Sequence, residues 1–167
     1  QLLDAAALDE LLALAEAVDL DRWRRAFAGG EALNHTEARA ALHYAVRAGS
    51  DDVPEGPIRA AQAAAFDACT RVQGWVERLL AEGFGDGHAL RDVVNIGIGG
   101  SDLGPRLLDE AIADPAGSPR PHFVSSGDAH RAAELMTRLD PATTLVVLVS
   151  KSFGTEETLL NGRLFID

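Results

Sequence analysis

Residues 145–158 read LVVLVSKSFGTEET, a short apolar run set directly against hydroxyls and a single cation. The run itself, LVVLVS over 145–150, shows no polar alternation, as expected of a strand covered on both faces. Two runs of the same kind lie upstream, VVNIGIG over 93–99 and HFVSS over 122–126. Helical stretches at about residues 103–113 and 129–139 separate them. Strand, helix, strand, helix, strand is the βαβαβ pattern. It predicts an α/β fold with a three-layer parallel sheet and right-handed crossovers.

Ahead of the sheet the period changes. Residues 2–18 put Leu3, Ala7, Leu11, Leu14 and Val18 at helical spacing. After the break at GGEALN, the stretch NHTEARAALHYAVRAG over 34–49 predicts another helix. Asn34 and Glu37 stand at capping-box spacing, Ala38, Ala41, Leu42, Ala45 and Val46 form one face, and Gly49 is a natural stop. SDDVPEGP over 50–57 reads as a loop with Pro57 near the next helix start. Ile58, Ala61, Ala65, Cys69, Val72, Val76 and Leu79 then carry a longer helix to Gly83. Cys69 falls on its apolar face and is expected to be a core thiol; Trp23, Phe66 and Trp75 are expected to be core anchors. The expected organisation is a helical segment over residues 1–88 packing on the sheet, which occupies residues 89–167.

Bulk properties exclude several classes of partner. A formal net charge of −11 argues against nucleic acid, whose binding needs clustered lysine and arginine. No apolar run approaches the length of a membrane span, so no membrane partner is expected. QLLDAAALDELLALAEAVDL, at residues 1–20, carries acids and lacks a basic start, so it does not read as a signal peptide. One cysteine cannot build a disulfide framework and agrees with a reducing cytoplasm. The five histidines, His35, His43, His88, His122 and His130, show no metal-ligand spacing, so neither metal nor cofactor is expected.

In an open α/β sheet, ligands bind beyond the carboxyl ends of the strands. Two strand-to-helix turns are chemically loaded there. In NIGIGGSDLG, residues 95–104, Gly97, Gly99 and Gly100 remove side chains where backbone must approach something closely, and Ser101 adds a hydroxyl. In SKSFGTEET, residues 150–158, Ser150, Ser152 and Thr155 supply hydroxyls and Lys151 the charge. Lys151 is the only lysine in a chain whose other basic residues are arginine. Hydroxyls, one cation and backbone N–H groups at a helix start make an anion cradle. Commoner nucleotide motifs do not fit. Asp102 stands where GxGxxG needs its third glycine, a carboxylate there would repel a pyrophosphate, and GxxxxGK[ST] is absent.

NIGIGGSDLGP and SKSFGTEET resemble the sugar-binding signatures of the glucose-6-phosphate isomerase family, which has the sugar isomerase (SIS) fold. GGEALNHTEARAALHYAVR resembles that family's N-terminal helix motif, and FVSSGDAHRAAELMTRLDPATTLVVLVSKS is similar throughout to its next block. The resemblance runs from about Phe27 to the last residue, with four blocks in order. It implies that residues 89–167 are the first part of a SIS sugar-phosphate domain, and that Gly100, Ser101, Ser150, Lys151, Ser152 and Thr155 bind the phosphate. Ser152 stands where the family usually has threonine, which keeps the hydroxyl. Gly154 replaces a usual threonine and frees backbone within the same cradle. Glu156 replaces a usual glutamine and adds charge. Glu157 matches a pocket glutamate facing the sugar end.

The resemblance further implies reversible aldose–ketose isomerisation of glucose 6-phosphate and fructose 6-phosphate, a step of glycolysis and gluconeogenesis, in a cytoplasmic homodimer. Family members are several hundred residues long. Their catalytic base glutamate, ring-opening histidine and a further active-site lysine and arginine fall downstream of Asp167. No catalytic base is therefore expected in these residues, and the piece alone is expected to be inactive. The competing class is a non-catalytic SIS module that binds a sugar phosphate to regulate a partner; the NxTExR block favours the isomerase.

Overall fold

The structure is a computed structural model and describes residues 4–47, 49, 55–85, 87–112, 119–127 and 129–166. The chain folds as two compact units, Gln1–Gln73 and Gly74–Asp167.

The first unit opens with helix α1, Ala5–Ala17, capped by Asp4, whose carboxylate accepts from the Ala7 N–H at 2.8 Å. Helix α2, Leu20–Ala28, follows with Asp19 as its cap. Ala45 and Ile58 centre a small core, with Leu42, Tyr44 and Ala61 packed against them. The Tyr44 hydroxyl donates to the Phe27 carbonyl at 2.9 Å, and the Gln62 amide donates to the Ala45 carbonyl at 3.1 Å. These bonds tie the loop after α2 to the start of the long helix α3, Pro57–Glu82.

The helix expected from Asn34 does not form. Asn34 Oδ1 does accept from the Glu37 N–H at 3.2 Å, as a cap would, and also from the Thr36 hydroxyl at 2.8 Å. Ala38 then takes a left-handed φ of 50°, and the chain folds back so that Asn34 and Arg39 pair as an antiparallel bridge. The short polar side chain closes a local turn that competes with helix propagation. Ala45 is buried and Leu42 partly buried in the small core rather than along a helical stripe, and only Ala45–Arg47 make one turn of 3₁₀ helix.

α3 begins at Pro57 and ends beside Gly83, as the sequence indicates. The loop expected over residues 50–57 falls outside the described residues at 50–54. Cys69 is exposed, contrary to its expected place in the core. Phe66, Trp75 and Trp23 are also exposed, at 58%, 46% and 43%. Burial on α3 is confined to Ile58 and Gln62 at one end and Leu79 at the other. Helical periodicity identified a face, but periodicity does not say what covers it.

The second unit is the α/β sheet. Strands β1 (Asp92–Ile96), β2 (Arg120–Val124) and β3 (Thr144–Leu148) are all parallel, in the order β2-β1-β3. Helices α4 (Gly100–Ile112) and α5 (Ala129–Arg138) form the crossovers, and α6 (Glu156–Ile166) follows β3. Alternation along β1 separates the layers. Val94 and Ile96 are fully buried with Val124, Ala132 and Leu135, and Val146, Leu148, Leu164 and Phe165 pack on that cluster. This is the α5 and α6 face. On the opposite face, Asn95 bonds to the start of α4 and Phe123 lies beneath Arg106 of α4. Right-handed crossovers require that split, because the chain runs outward from β1 to β2 and then back past β1 to β3.

The amino ends of the strands carry a buried charge. Asp92, with its side chain 4% exposed, receives His122 Nε2 at 2.8 Å and Arg120 Nη2 at 3.1 Å. Because the carboxylate can only accept, Nε2 carries the proton. Burial alone would raise the Asp92 carboxyl. The hydrogen bonds from His122 and Arg120, with the Arg120 charge, outweigh it and hold the group below its ordinary value of 3.8. A depressed carboxylate contributes stability above its unfolded value and loses that contribution as pH falls through the folded one. Asp92→Ala is accordingly expected to lower stability at pH 7 by about 1–3 kcal/mol. The deficit should shrink as pH drops below the ordinary carboxylate range. Urea denaturation of both proteins at several pH values checks this; a deficit that grows on acidification contradicts it.

Candidate anion-binding site

The strand order places the site. From β1 the chain leaves toward β2, and from β2 it returns to the other side of β1, so β1 and β3 flank the point where the topology reverses. A crevice opens at such a switch point, outside the carboxyl ends of the strands. Both loaded turns leave from there. The strands end in register, Ile96 opposite Leu148 on one side and Val124 on the other. One step further, the Val149 N–H donates to the Ile96 carbonyl at 2.8 Å and the Gly97 N–H to the Val124 carbonyl at 3.1 Å. The two turns thus start about 4.8 Å apart, the spacing of neighbouring strands.

The first turn is built by close approach. A Cβ at Gly97 would lie 2.7 Å from the Ser101 carbonyl oxygen and 2.8 Å from Ser101 Cβ. Gly99 takes φ 59°, and α4 begins at Gly100. A Cβ at Gly99 or Gly100 would meet no atom within 4 Å. The turn is therefore tight on its inner side and open on its outer side. Its leading N–H groups carry the positive end of the α4 dipole. Asn95, 8% exposed within β1, donates from Nδ2 to the Ser101 carbonyl at 3.1 Å and fixes the start of the helix. Ser101 is half-buried and Gly100 exposed.

In the second turn, the Ser150 hydroxyl oxygen accepts from the Phe153 N–H at 3.0 Å. That role leaves the hydroxyl proton available for donation. Phe153 is held at φ 51°, where a bulky side chain is strained, and such strain gathers at functional loops. Lys151, Ser152 and Gly154 are exposed, and Thr155 is half-buried immediately before α6. Glu157 is exposed in the first turn of α6 beside Gly127, where a Cβ would lie 3.3 Å from Glu157 Cγ. It therefore stands toward the turn that follows β2. Fully buried Asn161 holds the same turn, donating to the Ser126 carbonyl at 2.7 Å.

Topology thus brings Gly100, Ser101, Ser150, Lys151, Ser152, Gly154 and Thr155 to one end of the sheet. Sequence reasoning missed the anchors, Asn95 and Asn161. The available signal was an amide interrupting an apolar strand (VVNI) and another interrupting an apolar helix (LLNG). A separate hollow of about 200 Å³ lies at the opposite end of β3, lined by Met136, Leu139, Pro141, Thr144, Val146 and Phe165. It offers no charge to an anion.

Comparison with known proteins identifies a family and a fold. Residues 1–165 match the family model described as phosphoglucose isomerase. A glucose-6-phosphate isomerase of Stenotrophomonas maltophilia (strain R551-3) is 45% identical over 169 residues, covering 100% of this chain and 32% of that protein. One from Xanthomonas campestris pv. campestris (strain B100) is 43% identical over 163 residues, covering 96% and 31%. The crystal structure of a glucose-6-phosphate isomerase from Chlamydia trachomatis D/UW-3/Cx superposes with a TM-score of 0.70 at 32% identity, covering 98% of this chain and 32% of that one. The chain therefore spans about a third of the length of the relatives it matches.

Proposed function

The chain belongs to the phosphoglucose isomerase family, and from that premise we propose that its complete gene product interconverts glucose 6-phosphate and fructose 6-phosphate, with these residues anchoring the phosphate. The observation that carries the reading is the meeting of a glycine-rich turn bearing Ser101, a hydroxyl-rich turn and the single lysine at the β1/β3 switch point. A chain of net charge −11 repels a dianion at long range, so binding must come from local donors. Gly100, Ser101, Ser150, Lys151, Ser152, Gly154 and Thr155 supply them here as hydroxyls, backbone N–H groups and one ammonium. In this reading residues 89–167 are the first part of a sugar-phosphate domain, and residues 1–88 are a helical segment ahead of it. The complete protein acts as a cytoplasmic homodimer in glycolysis and gluconeogenesis.

Anchoring has a mechanistic purpose. Isomerisation moves a proton between C1 and C2 through an enediolate, and the base must stand within hydrogen-bond reach of those carbons. Holding the phosphate at the far end of the hexose fixes where C1 and C2 fall and makes proton transfer effectively unimolecular. Among the described residues, the acids on the two turns are Asp102, Glu156 and Glu157. Asp102 is buried and paired with Arg106, and both glutamates lie at the start of α6. The base is accordingly assigned to residues outside this chain.

A coupled assay tests both halves of the proposal. The complete gene product should isomerise glucose 6-phosphate, and residues 1–167 expressed alone should not. Turnover that co-purifies with the 167-residue piece would move the base into these residues. Phosphate binding without turnover by the complete protein would favour a regulatory module.

A further inference from the structure

Asp102 lies one residue from Ser101, inside the first turn of α4, and is 5% exposed. A buried carboxylate in that position should oppose an anion held by Gly100 and Ser101. Its whole charge, however, is met from one turn along the helix. Arg106 Nη2 donates to Asp102 Oδ1 at 3.0 Å, and Arg106 Nε to Oδ2 at 3.4 Å. The guanidinium is held from its other side, with Cζ 4.7 Å from the centre of the Phe123 ring on β2. The cation is thus held by a carboxylate and an aromatic ring, although its side chain remains 39% exposed.

We infer that Arg106 is a positioning residue for the anion site, cancelling the buried Asp102 charge so that the Ser101 hydroxyl and the positive end of the α4 dipole face a phosphate unopposed, the Ser101 and Asp102 N–H groups themselves donating to the Ile98 and Gly99 carbonyls. The inference rests on the reading of the site given above. Asp102 in turn holds Arg106 against the sheet, so the pair joins the first turn to β2 at no net charge.

A merely structural pair makes a different prediction. If the pair only packs α4 on the sheet, breaking it from either side should disturb the turn and weaken binding alike. If it sets the local charge, the two substitutions act in opposite directions. Arg106→Gln leaves an uncompensated carboxylate beside the anion and should weaken binding by about tenfold. Asp102→Asn leaves an uncompensated cation and should tighten binding by about threefold. The double variant Asp102→Asn/Arg106→Gln, neutral again, should return to within about twofold of the parent.

The experiment is calorimetric titration of the complete gene product and its three variants with inorganic phosphate. Opposite signs for the single variants and recovery in the double support the inference. An Arg106→Gln affinity equal to the parent's, or a double variant as weak as Arg106→Gln alone, overturns it while the site stands. A parent protein that binds no phosphate overturns the site and the inference together. Should Arg106→Gln fail to fold, Asp102→Asn decides alone: tighter binding supports the inference, and unchanged or weaker binding overturns it.

Discussion

Gly97→Ala in the complete gene product is expected to cost about 1–3 kcal/mol of stability, the range for forcing atoms into a packed site, and most of the affinity for hexose 6-phosphate. The added Cβ would sit 2.7 Å from a backbone oxygen, that of Ser101, which cannot rotate away as a side chain can. The start of α4 must move, and with it Ser101 and the bond that Asn95 makes to it. Gly100→Ala is the companion. Its Cβ meets nothing within 4 Å, so the fold should be indifferent, yet that open space is where the phosphate is assigned. Loss of affinity with unchanged stability is the expected result there. Thermal unfolding and calorimetry separate the two effects, and a Gly97→Ala protein with parental stability and affinity contradicts the described turn.

Lys151→Ala is expected to weaken hexose 6-phosphate binding by about 1–3 kcal/mol, the scale of a hydrogen bond to a charged group. Two conditions sharpen the test. The parent's affinity should fall with added salt, because an exposed cation is screened, and the variant's salt dependence should be shallower. Fructose without its phosphate should bind the two proteins equally poorly. Calorimetry at two ionic strengths measures all three. Equal affinities for parent and variant would remove the lysine from the site.

The sheet was legible because its chemistry is local. Three short apolar runs separated by helical stretches read as strands, and β1, β2 and β3 lie within three residues of where those runs fall, although only β1 is covered on both faces, β3 being half-buried and β2 exposed at its start. The two turns were legible for the same reason: glycine clusters and hydroxyls beside a lone lysine leave few alternatives at strand ends. What failed turned on a local competition at Asn34 and on which helix faces are covered. Asn34 and Glu37 look the same in a capped helix and in the closed turn that forms, and the outcome hangs on Ala38 turning left-handed. Cys69 and Phe66 share a helical face with Ile58, but only the ends of α3 are covered. Asn95 was overlooked because its partner, the Ser101 carbonyl, comes to it only when the turn closes, whereas Asp102 and Arg106 stand at i,i+4 spacing on α4 and were readable as a pair. A periodic pattern reports a residue's face; burial and pairing are properties of the assembled layers.

The most direct measurement is a crystal structure of the complete gene product with fructose 6-phosphate bound. The phosphate should lie between the first turn and the second, within hydrogen-bond distance of Ser101, Ser152 and Thr155 and facing the Lys151 ammonium. The sugar carbons should extend away from the β1/β3 crevice toward residues outside this chain. A phosphate bound elsewhere, with both turns unengaged, would contradict the assignment of the anion site to the switch point.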